Sequence, residues 1–172
     1  MDGQSVDQPA GGASTLRWGV KRSLLDYVSR LGDGRIAWRP GQTPAEFPLS
    51  HGTESPQGRR FGFAGGLRLS GHAGMLDVVL EDPAIDLDSG MLLVGVKQST
   101  EPVAILVLGD PVIDDGDHGV TVTYPTPELT PDGVVVFGSV YPEATVFDPV
   151  VVRLSPDAIT VLTDAGPVPG SR

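Results

Sequence analysis

The chain has no cysteine among its 172 residues. That removes a disulfide framework, a thiolate metal site, a cysteine nucleophile and thioether attachment of a cofactor. Apolar runs are short, and none approaches the roughly 20 residues that cross a bilayer. Basic residues are few: 12 Lys and Arg against 22 Asp and Glu give a net charge of −10. Such a chain repels nucleic-acid phosphates and anionic membrane surfaces. Neither a nucleic-acid partner nor membrane insertion is expected, and the acidity serves solubility. No Gly-x-Ser-x-Gly elbow and no phosphate-binding glycine loop ending in Lys-Ser/Thr occurs. Asp110, Asp114, Asp115 and Asp117 crowd one turn but lack the oxygen spacing and downstream Glu of a calcium loop, so they read as a solvated acidic turn. Met1 to Thr15 is polar, without the basic start and apolar centre of a signal peptide. As written the chain is expected in the cytoplasm; a removed leader would make it secreted or a cell-surface protein.

What is present suits one domain of short strands. The length fits a single unit with its own core. Forty per cent hydrophobic residues exclude wholesale disorder, and 23 Gly and 16 Pro spread along the chain imply many turns. Leu16 to Leu31 is the one amphipathic helix. Val20, Leu24, Tyr27, Val28 and Leu31 share a face, Ser14 or Thr15 stands ready as the cap, and Gly32 ends it. Residues 40–60, rich in Pro and Gly, read as a long connection holding His51. From Phe61 the pattern is β. Phe61/Phe63 and Leu67/Leu69 alternate around a Gly65-Gly66 kink, and Leu76/Val78/Leu80 alternate again. Further runs cover residues 91–96, 103–108, 120–124, 134–137, 150–154 and 159–162, separated by turn signals such as Glu81-Asp82-Pro83 and Asp88-Ser89-Gly90. The expected fold is mainly β, a sandwich of antiparallel sheets with one N-terminal helix. It spans residues 16–163, between a polar tail at 1–15 and a Gly/Pro-rich one at 164–172.

The residues able to carry chemistry are few. His72 lies in a Gly-His-Ala-Gly turn between two strands, where small neighbours permit close approach and also simply permit a turn. Tyr27 lies on the apolar helix stripe and is expected to face the core or a pocket. A tyrosine there usually packs with its hydroxyl on a backbone group. The alternative is an axial phenolate on Fe(III), as tyrosine provides in some haem proteins. A free phenol ionises near pH ~10, so it needs the metal's charge, and a nearby imidazole would tune it. Tyr141 follows a strand expected to end at Val140 and precedes Pro142, and Tyr124 is a comparable tyrosine with nothing to single it out. His51, His72 and His118 are too scattered to form a metal site by themselves.

Three blocks in order nevertheless resemble one family, the HtaA domain of actinobacterial haem-uptake proteins. The first is Trp18, Gly19, Val20, Lys21, Ser23 and Tyr27. The second is Phe63, Gly65, Leu67, Leu69, Gly71, His72, Gly74, Leu76 and Asp77, with Asp82 and Pro83 after it. The third is Phe137, Gly138, Tyr141, Asp148, Pro149 and Val150. The resemblance runs from about Leu16 to Leu154. It implies a binding protein rather than an enzyme, holding ferric haem b for transfer or sequestration. Tyr27 would be the axial ligand, His72 would lie close to the haem, and Tyr141 would help form the site. A hard phenolate favours ferric iron, so reduction would promote release to an acceptor protein. Two positions depart from the pattern: Leu24 stands where the family has an aromatic after Ser, and Val140 where it has a Phe before the late Tyr. Two other readings of the same residues are a haem-dependent peroxidase or haem-processing enzyme with His72 as acid/base, and an interaction domain on this fold that binds no haem.

Overall fold

The computed structural model describes residues 14–55 and 58–158. Strands dominate, as the period-two runs predict. They are β1 (Thr15–Arg17), β2 (Arg35–Trp38), β3 (Glu46–Ser55), β4 (Gly58–Phe63), β5 (Gly66–Gly71), β6 (Leu76–Asp86), β7 (Met91–Gly95), β8 (Val103–Val107), β9 (Val112–Gly116), β10 (Gly119–Tyr124), β11 (Glu128–Leu129) and β12 (Val150–Leu154). Among the described residues two helices join them, α1 (Arg22–Arg30) and α2 (Pro131–Val136), together with a single 3-10 turn at His72–Gly74.

Every strand pair in the ladders is antiparallel. The main path runs β11-β8-β7-β6-β4-β3-β1-β12-β10-β9, with β5 beside β6 and β2 on the outer edge of β5. Two long strands curl this sheet. β3 gives its first residues to β1 and the rest to β4. β6 gives Leu76–Glu81 to β5 and Ala84–Asp86 to β4. A strand that changes partner along its length turns the sheet back on itself. Both halves therefore feed one core: Leu16, Val150 and Val152 from one side, Leu69, Leu80, Leu92 and Ile105 from the other, with Trp18, Phe47, Phe63, Phe137 and Phe147 between. Each such side chain contributes about 1.5–3 kcal/mol by leaving water.

Five expectations are corrected. Asp114 and Asp115 are not in a turn but in β9, paired with β10, and only Asp117 lies in the turn that follows. The helix starts at Arg22, not Leu16, because Leu16 is spent pairing β1 between β3 and β12. Residues 40–60 are not one loop, since β3 and the start of β4 form a ladder there despite Pro48. Glu81-Asp82-Pro83 does not separate strands: β6 runs through it, with Asp82 in the left-handed region (φ 44) where the register with β7 shifts. Residues 134–137 are not a strand. Three valines favour β structure, but Thr130 caps a helix over them, its Oγ1 accepting from the Gly133 N–H at 2.9 Å with Pro131 behind it. The run at 159–162 and both terminal tails lie outside the described residues.

Candidate functional site

α1 is held at its start by the far end of the chain. The Asp148 carboxylate accepts from the Arg22 N–H at 2.8 Å. Its own N–H donates to the Val20 carbonyl at 3.2 Å, and the Lys21 ammonium donates to the Val146 carbonyl at 3.0 Å. An anion at a helix N-terminus is favourable and satisfies a donor that has no partner within the helix. Neither Ser14 nor Thr15 caps this helix; Ser14 bonds Ser155 instead. The two sequence blocks Trp18–Lys21 and Phe147–Val150 thus belong to one joint.

α1 buries Leu24 and Val28. Tyr27 lies at the edge of that stripe and is 47% exposed, so it does not face the core as expected. Its hydroxyl meets His72 Nε2 in a hydrogen bond, the two rings tilted at 40° with centroids 5.8 Å apart. The structure therefore joins two of the predicted residues from segments 45 positions apart. His72 itself has an unusual backbone. His72 (φ 50) and Ala73 (φ 54) are consecutive non-glycine residues in the left-handed region, followed by Gly74 (φ 90). Each costs on the order of 1–2 kcal/mol unless its surroundings compensate. Asp33, in the corner after α1, supplies compensation: one oxygen accepts from the His72 N–H at 3.1 Å, the other from the Ala73 N–H at 2.7 Å. The Ala73 hydrogen bond above all, then that of His72, holds the Asp33 carboxyl below the usual aspartate range.

Tyr141 does not join that pair directly. It meets α1 about one turn earlier, where its hydroxyl shares a hydrogen bond with Ser23. Its ring stands edge-on to Phe147 at 5.8 Å, and the Lys21 ammonium lies 5.6 Å from both ring centres. Burial raises the Tyr141 phenol above its ordinary value, and the Ser23 hydrogen bond opposes this only in part. Tyr124 is buried in β10 and is likewise raised by burial. An open cleft of about 650 Å³ lies between the start of β6, the β7–β8 connection and α2; Tyr27, His72 and Tyr141 are not among its lining residues. Met75, Val78, Val103, Val135 and Val136 give it apolar walls, and Gly138 closes one side. Met75, 91% exposed, projects at its rim.

The sequence reading missed Asp33, Ser23 in its bond to Tyr141, and Asp148 as a cap. Asp148 stood in a motif with no stated role. Asp33 carried a faint signal, an Asp flanked by glycines at a helix end. His51 lies on β3 and His118 in the β9–β10 turn, and among the described residues no group of three potential metal-binding side chains converges. No described helix is long and apolar enough to cross a membrane.

Similarity to known proteins runs along the same segments. No curated protein sequence matches the chain. Among solved structures, the C-terminal domain of HtaA from Corynebacterium glutamicum superposes with a TM-score of 0.64 at 19% identity, covering 83% of this chain and 95% of that one. The N-terminal domain of HtaA from the same organism gives 0.63 at 17% identity, covering 84% and 97%. Heme binding protein HtaB, again from Corynebacterium glutamicum, gives 0.56 at 21% identity, covering 83% and 92%. At these identities the superpositions speak for the shared antiparallel fold. The HtaA family model, however, matches the sequence itself over residues 13–153, from just ahead of β1 into β12 and through the Tyr27, His72 and Tyr141 segments, and on that match this chain belongs to the HtaA family.

Proposed function

We propose that this chain binds ferric haem b without covalent attachment, with Tyr27 as the axial ligand, and holds it for transfer or sequestration rather than for catalysis. The observation that carries this reading is the hydrogen bond between the Tyr27 hydroxyl and His72 Nε2 on a half-exposed helix face. A phenol placed against an imidazole can give up its proton locally. A fold neighbour described as a heme binding protein supports the same reading.

The residues fit such a group by their chemistry. Ferric haem supplies a hard cation that takes an anionic oxygen ligand, and a flat apolar ring that needs cover from water. Tyr27 is reachable from solvent, and the cleft beyond Met75 mixes apolar walls from Val78, Val103, Val135 and Val136 with the polar Asp77, Gln98 and Asp132. His72 Nε2 shares a hydrogen bond with the Tyr27 hydroxyl. With the phenol ionised on iron, the imidazole would donate a hydrogen bond to the phenolate, as supporting partners do for other ligands. Tyr141 and Ser23 fix the neighbouring turn of α1. The two departures from the family pattern differ in reach. Leu24 is 4% exposed within the core, so its change is absorbed by packing. Val140 is 61% exposed beside Tyr141, where a smaller side chain leaves less apolar cover.

A haemin titration followed by absorption tests the proposal. Saturation near one to one, with a shifted Soret band and a phenolate charge-transfer band, is the expected result. A Soret band that keeps the position and intensity of free haemin defeats it.

A further inference from the structure

The structure assigns Asp33 a positioning role: its carboxylate holds the His72–Ala73 turn and thereby sets the imidazole that meets Tyr27. Successive N–H groups of left-handed residues converge into a small concavity that accepts an anion. Here the anion is a side chain of the protein. Both Asp33 oxygens are used, one on each N–H, at 3.1 and 2.7 Å.

The approach that allows this is built into two glycines. A Cβ on Gly34 would sit 1.8 Å from the Val28 carbonyl oxygen, the last turn of α1. A Cβ on Gly71 would sit 2.8 Å from Leu31 Cδ1. Without side chains at those places, the corner 31–34 closes on the end of β5 and brings Asp33 beneath the His72 turn. One segment therefore grips His72 twice. α1 carries Tyr27, which meets the ring, and the corner that follows carries Asp33, which holds the backbone. The ring can meet Tyr27 only while the backbone keeps its left-handed bend. Hydrogen bonding from Ala73 and His72 favours the ionised carboxylate, as this role requires.

The consequence for haem rests on the reading of Tyr27 as ligand, but the geometric claim stands apart from it, and the test has an arm for each. In the ligand-free full chain, 15N NMR of the histidine rings reports which nitrogen carries the proton. Wild type is expected to show His72 Nε2 as a hydrogen-bond acceptor with the proton on Nδ1. Asp33→Ala is expected to return the ring to the free-imidazole pattern, with the proton mainly on Nε2. Asp33→Asn, which keeps one accepting oxygen, is expected between the two and serves if the alanine variant fails to fold. Asp77→Asn breaks the neighbouring pair with Arg68 and is expected to leave the His72 signals as in wild type. In the second arm, Asp33→Ala is expected to weaken haemin binding about tenfold. A lowered Tm with unchanged His72 ring signals in both Asp33 variants overturns the positioning role and leaves Asp33 a structural clamp. A wild type that binds no haemin defeats the proposed function instead, and the ring signals still decide the role of Asp33.

Discussion

Two tyrosines touch the same helix, and they do so in opposite ways. Tyr27 grows from α1, stands half in solvent and has a polar partner, His72, on a bent and clamped turn. Tyr141 comes to α1 from another segment, lays its ring on Phe147 beside Lys21, and gives only its hydroxyl to Ser23. The first contact keeps an oxygen accessible next to an imidazole nitrogen. The second buries an oxygen whose ionisation is discouraged by its surroundings. One residue type thus meets the nine helical residues twice, exposed beside an imidazole at one place and packed for cohesion at the other. The division sorts what substitution should do: at the Tyr141 end it should cost stability, at the Tyr27 end ligand binding.

The largest effect is expected at the cohesive end. Phe147 is 2% exposed and packs on both Phe137 and Tyr141, so Phe147→Ala should destabilise by about 3–5 kcal/mol. Denaturant unfolding measures it, and a loss confined to haemin binding would erase the contrast. At the other end, Tyr27→Ala should lower haemin affinity about a hundredfold, about 2.7 kcal/mol. It should remove the phenolate band while shifting stability by less than about 1 kcal/mol. Unchanged spectra would move the ligand elsewhere. His72→Ala should act in the same assay more weakly, about tenfold, with a displaced rather than missing band. Tyr141→Phe removes only the bond to Ser23 and should cost about 1 kcal/mol or less, with haemin binding nearly intact. The smallest effect concerns acid. Asp33 has a lowered folded pKa, so its contribution is present above the ordinary aspartate value of about 4 and is lost as pH falls through the folded one. Wild type and Asp33→Asn should therefore differ most in Tm near neutrality and converge below that range.

These regions were not equally legible in the sequence. The strands announced themselves through alternation, because one face of each feeds the core. The cohesive end could be read as a motif, Phe147-Asp148-Pro149, but not as a joint. Nothing local says that Asp148 will cap a helix 126 positions earlier. The boundaries of α1 failed for the same reason: Leu16 fits a helical stripe by spacing, yet sheet pairing on both sides claims it. α2 was missed because β propensity was weighed and the Thr130-Pro131 start signal was not. At the Tyr27 end, residue types and a family resemblance pointed to Tyr27 and His72. Exposure of Tyr27 and the hold of Asp33 on two N–H groups depend on close backbone approach, which a string of letters does not show.

The cap on α1 also bears on when the site comes into being. During synthesis Tyr27 and His72 emerge well before Asp148, and β1 must wait for β12 to complete its second ladder. Contacts that join distant parts of a chain form late and slow the folding of β proteins. A nascent chain carrying every residue of the Tyr27–His72 pair would still lack the anchor that fixes the helix bearing it. Competence to hold a ligand should arise as one of the late events of folding, once β12 has left the ribosome.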